Sequence, residues 1–264
     1  MASTPREKLG IIRYVALCYV ARALPFNTYG WSTAVLLNGT RCKVGLRSSE
    51  IYIFEEIYRY GIYDRLPAYV PSSGWNVVDL GANVGLFTLH AASKGARVFS
   101  FEPNPECFER LRSNVRLNDA TSSVALFNEA VSDEAGRGQL TVERGGSTGG
   151  TVQRGGEGGI RMTTLDHALA ASPVEKIDLL KMDIEGAEVD ALRGAEASLA
   201  KTERIIAEYH SRDLLDECTR ILEGHGFAID LSFVYFPEDP SIPGGGEEVG
   251  MFYASRGQAG SVLT

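Results

Sequence analysis

The sequence predicts an α/β fold: a mainly parallel sheet with helices on both faces, a C-terminal antiparallel hairpin and an N-terminal extension. Three observations lead to this prediction. Residues 77–102 read VVDLGANVGLFTLHAASKGARVFSFE, which is a strand, a glycine turn, a helix and a second strand. From Trp75 onward, strand-like and helix-like stretches alternate, as they do in parallel sheets. Two last apolar stretches, 227–236 and 249–254, are suited to pair as a hairpin.

Size and composition fit one α/β domain with an extension. The chain has 264 residues, of which 44% are hydrophobic and 23% charged, as in ordinary globular proteins. We expect an extension over residues 1–74, a catalytic domain over 75–256 and a flexible tail over 257–264. The net charge of −8, without a cluster of Lys and Arg, excludes nucleic acid as the main partner.

The cysteines and the first apolar stretch bear on location. The four cysteines show no metal-ligand spacing and predict reduced thiols in a cytoplasmic protein. Leu9 to Leu24 is interrupted by Arg13 and Arg22 and is shorter than the roughly twenty apolar residues that span a bilayer. We therefore predict no membrane span.

Turn and spacing signals place the elements of the extension. Asn38-Gly39 separates two strand-like stretches, 33–37 and 41–46, and predicts a hairpin. After Ser49, the helical spacing of Ile53, Ile57 and Tyr60 predicts a helix, which Gly61 can end. Homodimerisation through the extension is left open.

The catalytic domain continues with recognisable helix starts and strands. Asn104 followed by Pro105 predicts a helix start. Thr163 with Asp166 resembles a capping box. The Gly-rich segment 143–159 predicts a mobile loop. The remaining strands are expected at 124–127, 177–182 and 204–207, with helices through 189–192 and over about 211–225.

The glycine turn and its two acids indicate which cofactor is bound. A dinucleotide places its pyrophosphate at the start of the helix, where free N–H groups favour an anion. Asp79 opens this turn and would repel that anion, but it suits the ammonium and sulfonium of S-adenosylmethionine. Asn83 stands where the dinucleotide pattern has a second glycine. Glu102 ends the second strand, where an acid binds a ribose diol.

Polar residues end all five predicted parallel strands. Ligands of such sheets lie beyond the carboxyl ends of the strands, so these residues are the candidates for chemistry. They are Asp79, Glu102, Asn128 with Glu129, Asp183 with Glu185, and Glu208 with His210.

Several ordered motifs resemble the FkbM-type methyltransferases over roughly residues 44–255. They are VVDLGANVGLFTLHA, FSFEPNPECFERLRSNV, EAVSDEAG, TTLDHAL and LLKMDIEGAEVDALRGA, with SSEIYIFEEIYRYGIYDRL upstream. The resemblance implies a Rossmann-like class I fold and an S-adenosylmethionine-dependent methyltransferase, many of which O-methylate sugars or secondary metabolites.

The resemblance also implies roles for individual residues. Asp79 and the turn through Gly81, Asn83 and Gly85 would hold the methionine end of the cofactor. Glu102 would bind the ribose, the backbone around Ala130 would flank the adenine, and Asp183 would face the ammonium or the acceptor. We expect Lys181 to pair with a neighbouring acid.

The acceptor hydroxyl needs a base. His210 is the candidate, because its usual pKa is near neutrality, and Glu208 or Glu185 would orient or replace it. The same groups suit a rival use, in which Asp183, Glu208 and His210 bind Mg²⁺ and a vicinal diol. Aromatic side chains of the extension, Tyr63 among them, would stack on the acceptor or pack on the sheet.

The sequence thus predicts an S-adenosylmethionine-dependent O-methyltransferase that acts on a small hydroxylated metabolite, a sugar or other natural product. Three alternatives stay open: a methyltransferase of peptides or proteins, an NAD-dependent oxidoreductase, and a binding module without catalysis.

Overall fold

A computed structural model describes residues 31–35, 41–45, 53–142, 150–155, 159–172, 174–236 and 248–256. In chain order, its strands are β1 (Trp31–Val35), β2 (Arg41–Gly45), β3 (Asn76–Leu80), β4 (Arg97–Phe101), β5 (Val124–Phe127), β6 (Ala130–Val131), β7 (Gly136–Val142), β8 (Gly150–Arg154), β9 (Ile160–Thr163), β10 (Leu179–Met182), β11 (Arg204–Tyr209), β12 (Phe227–Phe236) and β13 (Val249–Arg256).

The helices alternate with these strands. They are α1 (Leu86–Ser93), α2 (Pro105–Leu117), α3 (Leu165–Leu169), α4 (Glu188–Arg193), α5 (Glu196–Ala200) and α6 (Arg212–Gly224), with a π-helical turn at Glu55–Tyr60 and a 3₁₀ turn at Pro67–Tyr69. In the described ranges, no helix combines the length and the apolar character that crossing a bilayer requires.

A seven-stranded sheet forms the centre, in the order β12-β13-β11-β10-β3-β4-β5. The five strands from β11 to β5 are parallel, and β12 and β13 form an antiparallel hairpin at one edge. The predicted α/β architecture with its terminal hairpin is confirmed. The strand order reverses between β3 and β10, and ligands of such sheets bind at this kind of reversal.

Buried side chains form one core on each face of the sheet. Successive residues of a strand point to opposite faces, and on β3 Val77 packs in one core while Val78 packs in the other. The first core takes in α1 and residues of the extension, such as Tyr63 and Tyr69. The second is covered by α3 to α6. Helices therefore shield both faces and leave the strand ends accessible.

A second, four-stranded sheet lies after β5, in the order β6-β9-β7-β8. The prediction of a loop across 143–159 is wrong at β8, since Gly150–Arg154 pairs antiparallel with β7. Val152 of β8 packs with Leu140 against a small cluster that contains Met162. The packing of these few apolar side chains is sufficient to stabilise one strand in the Gly-rich segment.

The extension joins the molecule through packing. The predicted hairpin is confirmed as β1 and β2, which pair antiparallel from Trp31↔Gly45 to Val35↔Arg41. Gly61 ends the π-helical turn in a left-handed conformation (φ 60°), as predicted. Of the residues with helical spacing, Ile57 is buried and Tyr60 is 58% exposed. The Leu9–Leu24 segment and the tail at 257–264 lie outside the described residues.

Helix starts depend on single side chains. The Asn104 side chain accepts hydrogen bonds from the amides of Glu106 and Cys107, as predicted for an N-cap. The predicted capping box at Thr163 is wrong by one residue, because Thr164 caps α3. Asp166 instead accepts the amides of Ala197 and Ser198, so it caps α5, a partner distant in sequence.

Candidate active site

A cavity of about 360 Å³ opens at the carboxyl ends of the central strands. Its floor is the turn after β3 and the loop after β10, the two strands between which the strand order reverses. Its size is in the range of pockets that bind cofactors and small ligands. The cavity therefore lies where the sequence analysis expected the site.

The turn after β3 requires the conformations that Gly and Asn adopt most easily. Gly81 has a φ of 76°, and a Cβ there would lie 1.8 Å from the carbonyl oxygen of Asp183. Asn83 has a φ of 52° and lines the cavity. Gly85 does not line the cavity; its φ of 92° lets the chain enter α1. The predicted turn residues thus divide into two that face the cavity and one that shapes the backbone.

Glu102 is fixed at the cavity by backbone amides. The amide of Asn83 donates to its Oε2 at 2.7 Å, and the amide of Asn104 donates to its Oε1 at 2.8 Å. Burial raises the pKa of Glu102 to about 7, although these amide bonds act to lower it. Each carboxylate oxygen has a further lone pair with which to accept a hydroxyl group.

Asp79 does not reach the cavity, which corrects the prediction that it contacts the cofactor. It is fully buried, its Oδ2 accepts the Thr88 hydroxyl at 2.6 Å, and its Oδ1 lies 3.2 Å from Lys181 Nζ. The two residues are register neighbours on β3 and β10, which places their side chains side by side. The predicted pairing of Lys181 with an acid is confirmed.

Lys181 connects this buried pair to the cavity. Its Nζ donates to the carbonyl oxygen of Gly81 at 2.9 Å and lies 3.7 Å from Asp183 Oδ2. Burial would lower the pKa of Lys181, but the charges of Asp79 and Asp183 outweigh it and raise that pKa. A fixed positive charge therefore lies next to the turn. Asp79 helps to hold this charge in place through its contact with Lys181.

Acidic residues and one histidine form the rim at the ends of β10 and β11. Glu185 has a left-handed backbone (φ 56°), and its Oε2 lies 3.2 Å from His210 Nε2. Glu208, which belongs to β11 rather than following it, has its Oε2 3.9 Å from the same nitrogen. The structure thus brings together the three predicted catalytic residues and Asp183.

The protonation states of this rim differ from those expected. Burial and the adjacent Asp183 carboxylate raise the pKa of Glu208 well above its usual value. Burial lowers the pKa of His210, but the bond to Glu185 and the charges of Glu188 and Asp183 dominate and raise it to about 9. At neutral pH His210 is an imidazolium, which has no lone pair to accept a proton. The role of His210 as the general base stays a prediction, which a pKa of about 9 disfavours near neutral pH.

Glu56 and Tyr63, from the extension, line the same cavity. The Tyr63 hydroxyl donates to Asp183 Oδ2 at 3.4 Å, and its ring centroid lies 5.0 Å from that of Phe87. Burial and the charge of Asp183 raise the pKa of Glu56 to about 7. Sequence reasoning missed Glu56. The helical spacing of its neighbours predicts a helix, but it does not show which part of the protein that helix contacts.

The second sheet supplies an apolar wall. Ala130 begins β6 directly after Glu129, and both line the cavity together with Leu140, Val152 and Met162. Ala130, Leu140, Val152 and Met162 give this part of the cavity an apolar surface.

Negative charge prevails around the cavity. Among the described residues, seven acidic side chains line it against three basic ones: Glu56, Glu102, Glu129, Asp183, Glu185, Asp190 and Glu208 against Lys181, Arg154 and His210. Such a cavity attracts cations and repels phosphates.

The match to a known family agrees with this arrangement. The FkbM methyltransferase domain matches residues 79–229, from the end of β3 into β12. The chain belongs to the FkbM methyltransferase family. The resemblance found in the sequence motifs is confirmed, and this family member is a methyltransferase.

Three curated relatives are similar to this FkbM-family chain. The AMB antimetabolite synthetase AmbE of Pseudomonas aeruginosa is 29% identical over 81% of the chain, which spans only 12% of AmbE. The hexuronic acid methyltransferase AglP of Haloferax volcanii is 27% identical over 61% of the chain and 66% of AglP. The 2-O-methyltransferase NoeI of Sinorhizobium fredii is 30% identical over 53% of the chain and 65% of NoeI. The chain thus spans less than two thirds of each of these relatives.

A solved structure shares the fold. The FkbM methyltransferase of Methylobacillus flagellatus KT has 17% identity and a TM-score of 0.51, over 92% of this chain and 59% of that one. The Rossmann-like fold predicted for the family is confirmed.

Proposed function

We propose that this chain transfers a methyl group from S-adenosylmethionine to a hydroxyl of a small metabolite, a sugar or other natural product. The observation that carries the proposal is the excess of acidic side chains around a cavity at the strand reversal. Among the relatives, the names of AglP and NoeI state a hexuronic acid and a 2-O position. Those names support the acceptor class and its oxygen.

The residues at the cavity fit this cofactor. Glu102, held by two amides, would accept the ribose hydroxyls. Asp183 would face the ammonium group or the acceptor, while the backbone of Gly81 and Asn83 would border the methionine end. Ala130 and the apolar wall would flank the adenine. When bound, S-adenosylmethionine supplies a methyl carbon that its sulfonium has already activated.

The protein's own task is then to position the acceptor and take its proton. Alignment of the reacting oxygen can lower the barrier by roughly 7–11 kcal/mol. Glu56 lines the cavity, and its pKa of about 7 lets it accept and release a proton near neutral pH. We assign the base to Glu56. Burial and the charge of Asp183 raise the pKa of Glu208 well above its usual value, and the pKa of His210 is about 9.

A methyl-transfer assay with labelled donor tests both parts. Uronic acids and glycosides are offered beside peptides. We expect transfer to the sugars, with kcat about 10²–10⁴-fold lower in Glu56→Gln and donor affinity changed far less. Glu223→Gln, an exposed acid near the end of α6, is the control. Transfer to peptides alone would overturn the acceptor class, and full turnover in Glu56→Gln would overturn the base.

A further inference from the structure

Three side chains at the rim are arranged as metal ligands. Asp183, Glu185 and His210 each offer one ligand atom, and these atoms lie within 4.8 Å of one another. Ligands on opposite sides of a bound cation lie about 4.2 Å apart at metal–ligand distances of about 2.1 Å. A small movement of the side chains would therefore close this group around one ion. All three line the cavity, so an ion there would keep positions open to an acceptor.

The backbone helps to hold this group. Glu185 has a φ of 56°, a left-handed conformation that a non-glycine residue rarely adopts. The amides on either side of it, those of Ile184 and Gly186, both donate to Glu188 Oε1, at 3.2 and 3.3 Å. Glu188 thus fixes the loop in the form that turns Glu185 toward His210. Strained residues held in this way are found mainly at functional sites.

Glu188 provides a second, independent indication. Its side chain is 1% exposed, and within the described residues its Oε2 receives no hydrogen bond. Its Oε1 lies 3.9 Å from His210 Nδ1, behind the ring, while Nε2 faces Glu185 on the cavity side. A histidine that binds a metal characteristically has a carboxylate behind its other nitrogen. At 3.9 Å the contact between Oε1 and Nδ1 is longer than a hydrogen bond, so the carboxylate and the ring would approach each other by about 1 Å when an ion binds.

We propose that Asp183, Glu185 and His210 bind a divalent cation of the Mg²⁺ or Mn²⁺ class, with Glu188 as the positioning residue behind His210. The ion would take the place of the proton on His210 Nε2, which is released to solvent when the ion binds. Two carboxylates and one imidazole suit such an ion, and its open positions would take two neighbouring oxygens of the acceptor. This use of the ion rests on the proposed function, whereas the site itself does not. The set differs from the one considered from the sequence, with Glu185 in place of Glu208.

Binding of Mn²⁺ to the full chain, followed by electron paramagnetic resonance, tests the site without an acceptor. We expect one saturable ion per chain, which Mg²⁺ displaces. Asp183→Asn, Glu185→Gln and His210→Ala should each weaken binding by more than about tenfold, and Glu188→Gln by about 10–100-fold. Glu196→Gln is the matched control, because Glu196 opens α5 as Glu188 opens α4, but is exposed. Circular dichroism checks that each variant folds.

Lack of saturable Mn²⁺ binding, or binding that Glu185→Gln and His210→Ala leave unchanged, would overturn the site. An ion pair between Glu185 and His210 alone would then explain the contact. Methyl transfer that survives prolonged chelation would remove the ion from the reaction. If transfer is found without Mn²⁺ binding, the proposed function stands and the site falls. If Mn²⁺ binds but no sugar is methylated, the metal site stands and the proposed function falls.

Discussion

The two sides of the cavity are built differently. The side proposed to bind the donor, from Gly81 to Glu102, comes from one strand-turn-helix-strand unit and is held by backbone amides. The rim side combines Asp183, Glu185 and His210 with Glu56, which lies more than a hundred residues earlier in the chain. The donor side is set by local geometry, while the rim is set by charges that meet only in the folded chain.

The difference explains which residue roles the sequence could assign. A positive φ or a strand-end acid is a local property and can be read from a motif. The charge state of His210 depends on Glu185, Glu188 and Asp183 together. A histidine read in isolation is a base near neutrality, and only its surroundings make it a cation. The following predictions test this division, beginning with the largest expected effect.

Gly81→Ala should abolish donor binding. A Cβ at this position would collide with the Asp183 carbonyl oxygen at 1.8 Å, and the φ of 76° adds strain. The collision and the strain both involve the backbone, so no movement of a side chain can relieve them. Gly136→Ala is the control, since a Cβ there meets nothing within 4 Å. Calorimetry with S-adenosylmethionine checks this prediction, and normal affinity in Gly81→Ala would show that the turn is not held as described.

Lys181→Met should lower stability by about 3–5 kcal/mol, because it leaves the buried Asp79 without its charge partner. Lys176→Met is the control: Lys176 also pairs with an acid, Asp178, but its side chain is 53% exposed. Chemical denaturation measures both variants. Equal losses for the two lysines would mean that the Asp79–Lys181 pair does not hold the centre of the sheet.

Glu102→Gln should weaken donor binding by about 10–100-fold, the usual worth of hydrogen bonds to a charged group. It should also remove a pH dependence. The pKa of Glu102 is raised to about 7, so acid protonates the carboxylate within the neutral range. Wild-type affinity should fall by about tenfold from pH 8 to pH 6 through this group. Calorimetry at both pH values compares the two proteins; an equal slope in both would exclude Glu102 as the ribose ligand.

Much of the fold was predictable, and the limits have physical causes. The Asn104-Pro105 helix start and the Gly81 turn are local, and the structure has both. Thr164, rather than Thr163, caps α3, and Asp166 accepts amides of α5, a contact that no local pattern contains. Asp79 was predicted to be a cofactor ligand because it opens the turn. In the structure it forms an ion pair with Lys181, its register neighbour on β10. Glu56 was missed because it reaches the site from the extension.

The central claim is that a negatively charged cavity takes a positively charged methyl donor. Calorimetry of the wild-type chain with S-adenosylmethionine and, separately, with NADH tests it most directly. We predict saturable binding of S-adenosylmethionine, one molecule per chain, and none of NADH. Binding of NADH without binding of S-adenosylmethionine would contradict the account.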